Sequence, residues 1–514
     1  MVKTLRQAWG RPKANRAAEF RRISLWLALT ALFCLPFADL TIYQLSPATE
    51  LGRLLLGMAT PDFLATEYLA DAVLTTLAFA LQGIALAALC GFGLSLLYQL
   101  RGVRILAALL RSVHELFWAL LFLQLFGLSA LTGVLALWLP YTGIFTKVFG
   151  EILEEVDRQP EAALPKANTL NQGIALLLYS RLPLAWPHFK HYARYRLECG
   201  MRSSVVLGFV GLPTLGYHLE TAFRQGHYSQ AAALLYLFYL LIATMKWWCR
   251  APLLPLYLLA SLWFLPPIAN VNWALIFQFV SQDMVPAPLR AEHWQWSADL
   301  QPWLMMLWQE QIKPGLIDTL LLSQMALLLT ALLALVWFPL RSRWFLPTPF
   351  RALGQLFLIV TRSTPEFVLA FVGLLVFGPS LLPALLALGI HNGAIIGHLI
   401  GGYSQTLSLR PDDTPNGLSR PSLYLYQILP RVYPQFVTWL LYRWEIIQRE
   451  TAILGVLGIT TLGFYIDSAF EEFRFDRALV LIAVTALLNL LVDATARRLR
   501  ARLQQPKRLQ HRDA

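Results

Sequence analysis

Two sets of charged residues are written into apolar stretches where charge is costly. The first reads Tyr195-Arg196-Leu197-Glu198 with Arg202 close behind, and the second reads Tyr442-Arg443-Trp444-Glu445 with Arg449 close behind. An ionisable side chain at the centre of a bilayer helix costs roughly 2.5–3.5 kcal/mol on insertion scales. Glu198 and Arg202, like Glu445 and Arg449, are four residues apart, so each pair shares a helix face and is expected to form an intrahelical ion pair. Arg196 and Arg443 fall two residues before the glutamate and point elsewhere around the helix. Glu115 and Glu366 are the candidate partners for these two arginines. Two readings stay open: the charges staple helices together, or the arginines line a watery path and attract an anion. A fork-shaped guanidinium suits both, since it binds a carboxylate or an oxyanion equally well.

The elements that must carry these residues also come in two copies. Gly208, Gly211 and Gly216 follow the first motif, and Gly455, Gly458 and Gly463 follow the second. Glycine weakens a helix and permits close backbone approach, so these are candidate gate residues in a broken or re-entrant region, or else tight packing points between helices. Arg111-Ser112-Val113-His114-Glu115 matches Arg362-Ser363-Thr364-Pro365-Glu366, and Leu182-Pro183 matches Leu429-Pro430. Such self-similarity points to internal duplication, with a first repeat over 1–250 and a second over 251–514.

Composition sets the surroundings. The 514 residues are 57% hydrophobic and 14% charged, which fits a polytopic membrane protein and not a soluble domain. Span lengths and charge bias predict an all-α protein of about twelve transmembrane helices, six per repeat. In the first half they fall near 23–43, 68–99, 112–128, 130–150, 190–213 and 229–249. In the second half they fall near 251–269, 314–340, 363–378, 380–403, 435–459 and 477–496. An even number of spans per half makes the repeats parallel, with a shared substrate path between them as the natural reading. The net charge of +12 is distributed over both ends of the chain and over alternate loops. That is the positive-inside pattern, which puts both termini in the cytoplasm and argues against a nucleic-acid partner. The lipid bilayer is the expected surroundings. Tryptophans from Trp273 to Trp308 fit an interfacial belt on the outer face. Four cysteines, in apolar context and without paired spacing, suggest neither disulfide nor metal. His391 and His398, seven apart on one helix face, read as structural. No cofactor is expected, and no phosphate-binding Gly-x-x-x-x-Gly-Lys-Ser/Thr loop is present, so ATP hydrolysis by this chain is not expected.

Cytoplasmic loops at 151–189 and 404–434 complete the pattern. The first holds Glu161-Ala162-Ala163 and reaches Leu182-Pro183; the second holds Asp412-Asp413-Thr414-Pro415-Asn416-Gly417 and reaches Leu429-Pro430. With these loops the chain resembles the permease subunits of type I ABC importers, whose loop signature runs Glu-Ala-Ala, then Gly, then Leu-Pro. The Arg-Ser-x-Pro-Glu and Tyr-Arg-x-Glu segments make it similar to the phosphonate-transport permease family, as a tandem fusion of two permease domains. The resemblance implies that Glu161, Ala162, Ala163 and Ala167 in one loop, and Asp412, Asp413 and Gly417 in the other, dock on ATP-binding cassette ATPase subunits. It also implies an extracytoplasmic substrate-binding protein, a bacterial inner-membrane location and a phosphonate, phosphite or related oxyanion as cargo. Each loop departs from the signature differently: Ala167 replaces the glycine in the first, and the Glu-Ala-Ala is lost from the second. Unequal ATPase contacts are therefore expected. An importer for another solute, such as phosphate or an amino acid, is the alternative. An integral membrane enzyme acting on lipid would need clustered acid–base or metal-binding residues, which the sequence does not display.

Overall fold

The computed structural model describes residues 13–156, 173, 175–268, 271–290, 292–410 and 419–503, and among them there are helices and connecting turns but no strands. The coupling candidates Glu161, Ala162, Ala163, Ala167, Asp412, Asp413 and Gly417 lie outside these residues.

By length and apolarity, seven helices among the described residues can cross a membrane: Ala18–Phe37, Leu69–Ser95, Ala130–Glu155, Tyr228–Trp248, Trp296–Arg341, Leu381–Ser404 and Phe475–Leu503. Two further pairs qualify jointly but are sharply bent. Arg101–Ser112 and Glu115–Phe126 meet at 85°, and Thr348–Ser363 and Glu366–Phe377 meet at 88°. The bend follows from two extended residues at each corner. Pro365 disfavours helix at Thr364, which adopts φ −65° and ψ 121°. In the first repeat no proline enforces this. There His114 is extended and caps the second arm, its Nδ1 accepting from the Leu116 amide at 3.2 Å. Spans expected at 112–128 and 363–378 are thus the second arms of broken elements.

The two motif-bearing helices, Leu182–Val206 and Leu429–Gly455, are long enough to cross a bilayer but carry several charged residues each. Both continue from a π-helical turn, Leu177–Arg181 or Leu423–Ile428, and become α-helical at the Leu-Pro pair, whose proline gives no amide to the ladder.

Packing divides the chain into two compact units. One gathers the described parts of Met1–Ala48, Gln301–Ser468 and Leu488–Ala514; the other gathers Thr49–Leu300 and Ala469–Leu487. In the first unit the N-terminal helix Lys13–Cys34 packs on Lys313–Trp337 and on the second motif helix. Tyr433 Oη donates to Ser24 Oγ at 2.6 Å, and the Trp26 ring meets Trp444 edge-on at 6.1 Å. In the second unit Leu254–Ser261 packs on Leu69–Ser95, with Gln82 Nε2 donating to the Leu258 carbonyl at 2.7 Å. The sequence repeats and the packed units therefore differ: the leading helix of each half belongs to the unit built mainly from the other. Outward faces carry large apolar side chains such as Leu29, Leu32 and Phe33, as lipid contact requires.

Candidate functional site

In the second repeat the motif helix faces Leu381–Ser404, and polar groups buried between them form one network. Arg443 Nε donates to Asn392 Oδ1, and Arg443 Nη2 lies 3.5 Å from Glu450 Oε1. Asn392 Nδ2 donates to Glu450 Oε2 at 2.9 Å, closing a ring of three residues. The Arg443 and Glu450 side chains are only 12% and 11% exposed, so their attraction is weakly screened by solvent. Next to them His391 Nδ1 donates to the Thr364 carbonyl at 2.8 Å. A carbonyl oxygen only accepts, so the proton sits on Nδ1 and Nε2 faces Glu366 Oε2 at 3.8 Å. Donor atoms of Glu366, His391 and Glu450 lie within 4.8 Å of one another, a set chemically able to hold a cation, although Arg443 already supplies positive charge there.

The first repeat builds a related site with different residues. Ser203 Oγ donates to Glu115 Oε1 at 2.6 Å, and Tyr141 Oη lies 2.9 Å from Ser203 Oγ. With the serine proton committed to the carboxylate, Tyr141 is the donor of the second bond. Tyr141 and Ser203 occupy the places of Asn392 and Glu450. His114 Nε2 lies 3.7 Å from Glu115 Oε2. Both glutamates thus have an imidazole beside them, supplied from different positions. The first repeat has His114 at the corner and Pro140 in the facing helix, and the second has Pro365 and His391. Arg196 Nε donates to Tyr192 Oη at 2.7 Å, and its guanidinium lies over the Tyr192 and Tyr195 rings at 5.1 and 5.5 Å. Such stacking stabilises the cation by about 0.5–2 kcal/mol. Removing Ser203 Oγ leaves the buried Glu115 carboxylate short of a donor, so Ser203→Ala should cost about 1–3 kcal/mol. Thermal unfolding of the purified protein measures this, and an unchanged midpoint would contradict the assignment.

The remaining expected site residues divide as follows. Arg202 Nη2 lies 3.9 Å from Glu198 Oε1, the intrahelical pair anticipated from spacing. Glu445 and Arg449 occupy the matching turn of the second motif helix. Tyr195 and Tyr442 stand 42% and 37% exposed, Tyr195 beneath the Arg196 guanidinium and Tyr442 beneath that of Arg500. Arg111 is buried at the first corner, and Arg362 stands within electrostatic reach of Arg341 and His398. The glycines are of two kinds. Gly208 and Gly455 lie where a Cβ would come within 2.1 Å of the Tyr217 and Phe464 amide nitrogens. Gly211 and Gly458 instead have left-handed backbones, φ 92° and 87°, with room around them. Sequence reasoning did not single out Tyr141, Ser203, Asn392 or Glu450. Glu450 had a readable signal, being a further carboxylate seven residues beyond Arg443 on the same helix face.

Comparison with known proteins bears on what this geometry serves. The putative cryptic phosphonate transport system permease protein PhnE2 of Escherichia coli is 33% identical over 106 residues, covering 20% of this chain and 84% of that protein. The chain belongs to the phosphonate-transport permease family. The phosphite transport system permease protein PtxC of Stutzerimonas stutzeri is 39% identical over 132 residues, 26% of this chain and 47% of that relative. The phosphate-import permease protein PhnE of Mycolicibacterium smegmatis is 25% identical over 472 residues, 86% of this chain and 85% of that relative. The match spans about half the length of the phosphite permeases but most of the mycobacterial protein. No family model matches the chain, and no solved structure does. As a multi-pass α-helical permease relative it fits the resemblance drawn from the Tyr-Arg-x-Glu and Arg-Ser-x-Pro-Glu segments.

Proposed function

We propose that the chain is the membrane permease of an ATP-driven importer for a phosphonate, phosphite or related phosphorus oxyanion, a transport subunit and not an enzyme. The observation that carries this reading is Arg443, a guanidinium held in a buried network on a helix long enough to cross the membrane. Intramembrane arginine is expensive and usually faces a cavity or a functional partner. In this reading each motif helix lines the path, Arg196 and Arg443 attract the anion, and Glu115, Glu366 and Glu450 hold positive charge in place between passages. Two parallel repeats, 1–250 and 251–514, each supply about six helices. The two motif helices and the short helix Leu254–Phe264, added to the seven spans and two bent pairs, support a total of twelve.

ATP-binding cassette subunits dock on the loops holding Glu161, Ala162, Ala163 and Ala167, and Asp412, Asp413 and Gly417. An extracytoplasmic binding protein delivers the oxyanion to an inner-membrane permease with both termini in the cytoplasm. The names of the relatives support phosphorus oxyanions as the class, and the long match to a phosphate-import permease makes inorganic phosphate the second reading. Calorimetry on the partner binding protein with methylphosphonate, phosphite, phosphate and sulfate separates these. Tight binding of a phosphorus oxyanion is expected, and binding of amino acids or sugars alone would defeat the assignment.

A further inference from the structure

A second cluster of positive charge lies apart from the Arg443 network, and comparison of the repeats shows what it lacks. Gly127 and Gly378 end the second arms of the two bent pairs with the same amide-to-carbonyl bond, to Leu123 and Leu374, each at 2.9 Å. The same spacing carries Arg111 onto Arg362, Lys147 onto His398, Glu151 onto Gly402 and Glu154 onto Gln405. A Cβ on Gly150 would meet the Tyr98 side chain, and one on Gly401 would meet that of Arg341, so Tyr98 and Arg341 are also counterparts.

In the first repeat cations and carboxylates are gathered together. Tyr98 lies within electrostatic reach of Arg104, Arg111, Glu151 and Glu154, and Arg104 Nη2 pairs with Glu154 Oε1 at 2.9 Å. In the second repeat Arg341, Arg362 and His398 lie within reach of one another, while both carboxylates have become Gly402 and Gln405. Arg341 Nη1 donates to the His398 carbonyl at 2.7 Å. Gln405 turns its amide nitrogen onto the Arg341 carbonyl at 2.7 Å. Arg341 Nε and His398 Nδ1 are buried and meet no hydrogen-bond partner among the described residues. Leaving a buried polar group unpaired costs about 1–3 kcal/mol, and more when it is charged. A Cβ at Gly402 would stand 3.0 Å from Arg341 Nη1, so a side chain at this position would sit against the guanidinium.

We propose that this cluster binds a phosphate-type oxyanion group, whose oxygens take the place of the lost carboxylates. Arg341 supplies its fork, His398 Nδ1 adds a donor, and Arg362 adds charge. A guanidinium binds tetrahedral oxyanions by paired hydrogen bonds, and clustered cations of one sign favour a multiply charged guest. The group comes either from free phosphate or phosphite or from an anionic lipid headgroup. The site is a property of the second repeat alone and does not rest on the transport reading, because the test below measures occupancy without transport.

The experiment uses the full chain purified in detergent, with equilibrium dialysis against labelled inorganic phosphate and phosphorus analysis of co-purified phosphatidylglycerol. Phosphate binding that survives delipidation assigns a free oxyanion. Retained phosphatidylglycerol with no uptake of inorganic phosphate assigns the headgroup. Either result supports the site. Gly402→Glu restores the carboxylate of the first repeat and should weaken whichever ligand is bound by about tenfold or more, the scale of one lost charge-assisted contact. Gln405→Glu places the same charge at a half-buried edge and serves if the first variant fails to fold. Occupancy unchanged in a folded carboxylate variant, or neither ligand bound by the wild type, overturns the proposal.

Discussion

Arg443→Ala should abolish oxyanion uptake and also lower the stability of the protein, the latter because it strands Glu450. Breaking a buried ion pair by removing one partner typically costs about 3–5 kcal/mol, much of it from the carboxylate left uncompensated. Asn392 still donates to Glu450 Oε2, which moderates the loss. The double variant Arg443→Met with Glu450→Gln separates stability from transport. It removes both charges, keeps the side-chain volumes close and leaves an amide oxygen for Asn392 Nδ2. Thermal stability should return to within about 1 kcal/mol of wild type, since an apolar replacement of a buried pair is often neutral. Uptake should remain lost, because the anion has no guanidinium to meet. A double variant that regains both would assign Arg443 to helix stapling alone.

The glycines following the motif helices should split into a severe and a mild class. At Gly208 and Gly455 a Cβ would come within 2.1 Å of backbone nitrogen on the next helix, and backbone cannot swing aside as a side chain does. Gly208→Ala and Gly455→Ala must force the chain reversal open, at about 3 kcal/mol or more. At Gly458 nothing lies within 4 Å of the added carbon, and only the left-handed backbone resists it. Gly458→Ala should therefore cost roughly 1–2 kcal/mol. Unfolding midpoints of the three variants in one detergent give the order. Equal effects, or a larger loss at Gly458, would contradict the close approach.

Much of this arrangement was legible from repetition. A motif seen twice placed both charged helices and matched Glu115 with Glu366, because costly residues recurring at matched positions cannot be chance fillers of an apolar helix. The helix geometry of Glu198 and Arg202 followed from spacing alone. What escaped lay where the repeats diverge. Glu450 is Ser203 in the first copy, so a search for shared residues passes over it. The imidazole beside each glutamate was hidden by the exchange of His114 and Pro140 for Pro365 and His391. Its constancy is spatial and appears only when the helices face one another. The bends at Ser112 and Ser363 were also obscured, since an apolar run reads the same whether it is straight or turns through a right angle. Exchange of the leading helices between units depends on packing between distant segments, which no local pattern encodes.

This chain should move a phosphorus oxyanion only when coupled to a separate ATPase. Uptake of labelled phosphite, phosphate or methylphosphonate into proteoliposomes tests it directly, with the chain reconstituted together with its ATPase and binding protein. Uptake should require ATP and all three components and should vanish with Arg443→Ala. Uptake by the chain alone without nucleotide, or undiminished uptake by the Arg443→Ala variant, would contradict it.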